Sequence, residues 1–398
     1  MGSMRGLSWP VRGLAVLGLV AMGAVTGCGG TVPGASLSAV PGAAGAVPAP
    51  AVPVAVATAV VPAGKTPPAP GTTAPRRTAA PVAATGAGHP SGDGVIAPAG
   101  QAVGTSHPDR VIGAGTPASC TPAAVVAAGG VLTFACGPGP VTITMSGTAA
   151  VSSRRHLVVL DGGGKVTLAG AGNTRILSAN AGRERQWPQL VVQDLTVTGA
   201  CPGTPQASGS AVYGGGAIFG EGGQLTVVNS IVAGDRCYAS GPDLGGGAIR
   251  AVGMDPASPA YITGDTFSAS SCSNGGALSG PYASFDVIDS LLAGNKAIGR
   301  GASPAKAGTP GGGSGGAIYT GGDQCNLTIA GTVMRGNTAR EGGGGIIFVV
   351  VNPGGGTLPT QPRTPHDNPS GSSQNAPGIF DSVNGHDAQP VVVSSSTG

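Results

Sequence analysis

The stretch GGAIFGEGGQLTVVNSIVAGD (residues 215–235) returns as GGAIRAVGMDPASPAYITGDTFSAS (246–270), GGALSGPYASFDVIDSLLAGN (275–295) and GGAIYTGGDQCNLTIAGTVMRGN (315–337). Two landmarks recur. The first is Gly-Gly-Ala-aliphatic, ending at Ile218, Ile249, Leu278 and Ile318, with a degenerate GGGI at Ile346. The intervals are 31, 29, 40 and 28 residues, and the long one holds a Gly/Pro-rich insert, GRGASPAKAGTPGGG (299–313), that reads as a surface loop. The second landmark is an apolar residue followed three positions later by a small or amide residue: Val232 with Asp235, Phe267 with Ser270, Leu292 with Asn295, Met334 with Asn337. Between them lie segments such as LTVV from Leu225, FDVI from Phe285 and LTIA from Leu327, which alternate with the period of a strand.

A unit of three short strands cannot bury its own apolar face, whereas stacked units can. A chain that coils once per unit sets each strand ~4.8 Å above its predecessor in parallel sheets, with equivalent side chains in columns. Ile218, Ile249, Leu278, Ile318 and Ile346 form one expected internal column, and Val232, Phe267, Leu292 and Met334 the other. Gly pairs suit a corner because Gly accepts positive φ and leaves room for backbone approach. Asp235, Asn295 and Asn337 are expected as corner residues through their tolerance of the left-handed region and their local hydrogen bonding.

GGA-aliphatic followed by apolar-x-x-Asn resembles the repeat of polymorphic outer-membrane proteins and related bacterial right-handed parallel β-helix proteins, over residues 211–350. Upstream, LDGGGKVTLAGAGNTRIL (160–177) and LVVQDLTVTG (190–199) resemble the first coils of pectate-lyase-like β-helices, while IIFVVVNPGGGTL (from Ile346) and PGIF (ending at Phe380) are similar to later coils of secreted members. The resemblance implies an all-β, right-handed parallel β-helix and a surface location, but no reaction.

Outside the repeat, composition divides the chain. Gly (75) and Pro (35) are abundant in the 398 residues, and aromatics make up only 3%. Residues 31–110 hold 14 Pro, six charged residues and no aromatic, too little apolar surface to offset ordering entropy. The expected division is a signal peptide at 1–27, a disordered Pro/Ala-rich tether at 28–110, an N-terminal cap at 111–145 and the β-helix at 146–398. Within the cap, Thr121-Pro122 before AAVVAA and Gly129-Gly130 after it predict a short helix over the open end of the stack, followed by strands in VLTFA and VTITM. His89 and His107 read as solvated linker residues.

Arg5 and Arg12 precede an apolar run at 13–25 that has signal-peptide length and ends in Val25-Thr26-Gly27-Cys28. This resembles a bacterial lipoprotein signal, which implies lipidation of Cys28 and an extracytoplasmic, membrane-anchored lipoprotein at the bacterial cell surface. The remaining six cysteines favour disulfides over metal. Cys120 and Cys136 bracket the predicted helix. Cys237 and Cys272 each lie two residues after a corner, Asp235 and Ser270, where the next coils have Ala297 and Ala339. Cys201 and Cys325 are left unassigned.

Net charge of +3 from 20 basic and 17 acidic residues gives no nucleic-acid stripe. Asp265, Asp286 and Asp289 with Arg250 and Lys296 are the nearest approach to a catalytic acid and base cluster. GGGG at Gly342 lacks the Lys of a phosphate loop, and Asn-Gly-His at His386 lies in the terminal tail, so no metal or cofactor is expected. The leading reading is a non-enzymatic surface lipoprotein carrying an adhesive or carbohydrate-binding module, its partners the membrane and cell-wall or extracellular polysaccharide or a host surface. The alternative is a polysaccharide lyase or glycoside hydrolase on the same scaffold.

Overall fold

Among the described residues, strand pairing is parallel throughout except where Ile379–Val383 meets Gln389–Val391. The computed structural model describes residues 94–398 apart from 127–128, 152–154, 184, 203–213, 240, 242–243, 256–257, 302–310, 323–324, 351–355, 358–378, 384–388 and 392–398. Cys28, the expected signal peptide, the tether up to residue 93, His89 and His386 therefore lie outside the described residues.

Three sheets of 14, nine and three strands carry the fold. Each repeat supplies one strand to the nine-stranded sheet and two in succession to the large sheet, and the three repeats from residue 246 onward each add a short one to the third. In one repeat these are Leu278–Pro281, Phe285–Ile288, Leu291–Ala293 and Lys296–Ala297. This is the pairing pattern of a parallel β solenoid. Leu177, Ile218, Ile249, Leu278, Ile318, Ile346 and Ile379 pair one to the next. Val197, Val232, Phe267, Leu292 and Met334 do the same in the large sheet. From Leu177 to Ile346 and from Val197 to Met334 these side chains are fully buried. Burial of each such side chain stabilises by about 1.5–3 kcal/mol.

The two glycines of the GGA corner have separate tasks. The first, at Gly215, Gly246, Gly275, Gly315 and Gly343, takes φ between 51° and 72°. The second leaves space for backbone, since a Cβ on Gly276 would meet the carbonyl of Gly316 and the amide of Lys296. At the Asp/Asn corner the expected explanation needs correction. Positive φ falls one residue earlier, on Gly234, Ala269, Gly294 and Gly336. Asp235, Ser270, Asn295 and Asn337 instead turn inward, and their bonds run between coils. Asp235 Oδ1 accepts the Ala200 N–H (2.8 Å), Ser270 Oγ that of Asp235 (3.3 Å), Asn295 Oδ1 that of Ser270 (3.1 Å) and Asn337 Oδ1 that of Asn295 (3.0 Å). A second inner ladder links Leu195, Ser230, Asp265, Ser290 and Thr332 in the same way.

At the N-terminal end, Pro122–Val126 is a short helix whose Thr121 Oγ1 accepts the Ala124 N–H at 3.4 Å, and Val125 enters the core. Cys120 and Cys136 bond across it, with Cα atoms 5.6 Å apart. The expected boundary between cap and solenoid at 145/146 is absent, because Val141–Met145 already pairs in parallel, residue for residue, with Val166–Gly170.

The tether boundary at residue 110 is also corrected. Residues 94–105 lie as a strap across the outer face of the large sheet, with a 3-10 turn at Pro98–Gly100. The strap adds little to any core and is held from outside by polar side chains of the sheet. Composition alone does not register that kind of support. Exposed His107 follows the strap, and Asp109 then accepts the Val131 N–H at 2.7 Å.

Candidate functional site

The five residues read as a possible acid and base cluster have different settings: Arg250 and Lys296 belong to the other two sheets, and the three aspartates of the large sheet and its corners each have their own role. Arg250 is buried on the nine-stranded sheet, where its guanidinium donates to Ser279 Oγ at 3.3 Å. Lys296 is exposed on the three-stranded sheet. Asp265 is wholly buried in the inner ladder, accepting the N–H groups of Ser230 (2.7 Å) and Thr263 (2.9 Å), and burial holds its carboxyl well above the ordinary value despite those bonds. Asp289 takes φ 49° at a corner and accepts the Gly94 N–H at 2.9 Å. Asp286 lies half-buried on the large sheet, in register with Tyr261 and Thr328, and burial raises its carboxyl against a hydrogen bond from Thr328.

What the fold does assemble is an exposed aromatic corner, built where strands of the nine-stranded sheet pass into the large one. In some coils this passage takes two or three residues, as at Gly222-Gly223, with φ 60° and 68°. The coil that ends its first strand at Asn180 instead has a longer polar loop, GRERQWP (182–188), which reaches its neighbours. The Gly223 N–H donates to Arg185 O (2.6 Å) and the Gln224 N–H to Pro188 O (3.1 Å), so the loop is pinned to the next coil. Farther along, a Cβ on Gly253 would lie 2.8 Å from Arg183 Cγ. The loop rests on that glycine.

Two flat platforms result. Trp187 is 49% exposed and stacks on His156, ring centroids 4.5 Å apart and planes 3° apart. Tyr282 is 47% exposed, and the Arg183 guanidinium lies 5.8 Å from its ring centroid while Arg183 Nε stands 3.7 Å from Glu221 Oε1. Arg155 and Arg185 are exposed nearby in sequence. None of these residues was singled out by the sequence reading. Their signal was present: in a chain with two Trp and five Tyr, Trp187 sits in a polar run without strand alternation, where no core position exists for it.

The sequence matches no family model, no curated protein and no solved structure. The geometry of the corner is therefore the basis for a functional reading.

Proposed function

We propose that this protein is a non-enzymatic surface lipoprotein, anchored through Cys28, in which a right-handed parallel β-helix presents a carbohydrate-binding corner to cell-wall or extracellular polysaccharide. The observation that carries the reading is the pair of exposed ring platforms with charged groups beside them. A ring face offers van der Waals contact to the C–H face of a pyranose, and Arg183, Glu221 and His156 offer donors and acceptors to its hydroxyls. The loop that carries Trp187 is pinned by backbone bonds to the adjacent coil, which limits the ordering cost of binding. Glycoside hydrolysis needs two carboxylates flanking one bond. Asp265 is wholly buried and Asp289 is engaged by the Gly94 amide, which gives no support to the hydrolase or lyase alternative.

Trp187 offers a direct test, because Trp9 is the only other tryptophan. In the mature chain, which on this reading begins at Cys28 and has lost Trp9, titration with a panel of neutral and acidic polysaccharides should change Trp187 emission for at least one of them. Tyr282→Ala should weaken that binding by roughly 10-fold or more, as loss of a stacked ring does. An unchanged spectrum across the panel would overturn the reading. Release of unsaturated or reducing ends would favour the enzymatic alternative.

A further inference from the structure

The strap at 94–105 is held in an unusual manner. Among the described bonds, the sheet grips its main chain with side chains drawn from successive coils. Gln193 clamps Val103 twice, its Oε1 accepting the Val103 N–H (2.9 Å) and its Nε2 donating to the Val103 carbonyl (3.0 Å). Thr226 Oγ1 donates to Ala99 O at 3.1 Å, and Asp289 accepts from the Gly94 amide. One bond uses a strap side chain, from Thr105 Oγ1 to Asp161 Oδ2 (2.5 Å), and the same carboxylate oxygen lies 3.2 Å from Gln193 Nε2. Gly100 lies against the Tyr261 ring, where a Cβ would be 3.0 Å from Cδ1 and 3.3 Å from Thr263 Oγ1. Beneath the strap, Gln193, Thr226, Thr263 and Ile288 are shut off from solvent.

A row of side chains that reads main chain, and demands a small residue over one ring, has the chemistry of an extended-polypeptide site. We propose that Asp161, Gln193, Thr226 and Asp289 form a strip that binds an extended polypeptide with glycine over Tyr261, with residues 94–105 as its resident and displaceable occupant. The occupant motif Ile96-Ala97-Pro98-Ala99-Gly100 has a close counterpart in Val60-Val61-Pro62-Ala63-Gly64. A second copy of the chain thus carries a ready partner for a vacated strip. Displacement starts at the Gly94 end, where a single side-chain bond holds the strap, and is resisted at the Val103 end, where three do. In the intact chain a partner in trans competes with a segment joined to the fold through residues 106–109, at an effective concentration on the order of millimolar.

Gly100→Val tests this in the full-length chain, because φ at Gly100 is not positive and the added Cβ points at Tyr261 and Thr263. Hydrogen exchange should show residues 94–105 exchanging at least ~10-fold faster than in the parent, with 189–198 unchanged. A labelled peptide of sequence 94–105 should then bind Gly100→Val at least ~10-fold more tightly than the parent, and adding Gln193→Ala should remove the gain. The proposal fails if the peptide does not bind a chain whose strap has become exchange-labile, or if binding survives Gln193→Ala. It fails equally if strap and sheet amides accelerate together, or if the strap keeps its parental protection, since either result makes the strap an integral part of the fold.

Discussion

Asp235 occupies a ladder position that holds Ser270 in the next coil and the amides Asn295 and Asn337 in the two after it, and the difference is chemical. Asn295 Nδ2 donates to Phe267 O (3.0 Å) and Asn337 Nδ2 to Leu292 O (2.9 Å), each closing a bond to the preceding coil. Asp235 has no such donor when ionised. Its Oδ2 is buried with no hydrogen-bond partner among the described residues, and burial raises its carboxyl well above the ordinary value against the bond from the Ala200 amide. A carboxyl raised in the folded state is neutral in both states below the unfolded value of about 3.9. As pH rises past that value the unfolded chain sheds its proton while the folded chain retains it, so stability falls until the folded value is reached. Asp235→Asn should therefore stabilise at pH 7 by about 1–3 kcal/mol, its Nδ2 meeting the carbonyl of Val197, and the gain should shrink toward pH 4. Urea titrations of both proteins at pH 4 and pH 7 check this. A gain equal at both pH values would mean that the Asp235 proton plays no part.

Among the elements, the three-stranded sheet is the least supported, because its strands Ser271–Cys272, Lys296–Ala297 and Thr338–Ala339 are two residues long. The coil before them contributes only the bridge of Arg236 to Ser271 and, one residue on, the Cys237–Cys272 disulfide, with Cα atoms 4.7 Å apart. That separation is the spacing of adjacent strands. The bond therefore ties two coils where ladder hydrogen bonds are fewest. Closing a 35-residue loop constrains the unfolded chain by about 3–4 kcal/mol in the loop-entropy account. Cys237→Ala with Cys272→Ala matches the Ala297 and Ala339 of the following coils, so the fold should persist with stability lowered by roughly that amount. Equilibrium unfolding of the double variant, with far-UV circular dichroism for strand content, measures both. Free thiols at 237 and 272 in non-reducing peptide maps of the parent would contradict the pairing.

For the whole molecule, legibility followed from where the supporting partner lies. The aliphatic columns and the glycine corners were readable because each recurs at the same place in successive coils, and stacking is the only way such units bury themselves. The strap was unreadable for the opposite reason. Its residues 94–105 look like the rest of a Pro-rich tether, and what orders them, Asp161, Gln193, Thr226 and Asp289, is spread over more than a hundred residues of other coils. Asp265 was grouped with a possible acid and base cluster, not with the inner ladder, because the ladder residues Ser230, Ser290 and Thr332 are small and polar with no periodic apolar signal. The aromatic corner depends on one loop folding over later coils, which no local pattern encodes. The proposed anchor is a separate matter, resting on sequence alone. The 13 residues at 13–25 would reach only about 20 Å as a helix, short of the ~30 Å hydrocarbon core, so a stable span is not expected of them. Lasting attachment then requires two acyl chains or one chain with a second signal, because a single chain binds only marginally. Cys28→Ser removes the proposed acylation point and should move the protein from the membrane fraction to the soluble fraction, whereas the Gly100→Val strap variant should stay membrane-bound. Fractionation of the two variants side by side separates anchor from strap, and retention of Cys28→Ser in the membrane would show that residues other than Cys28 hold the chain there.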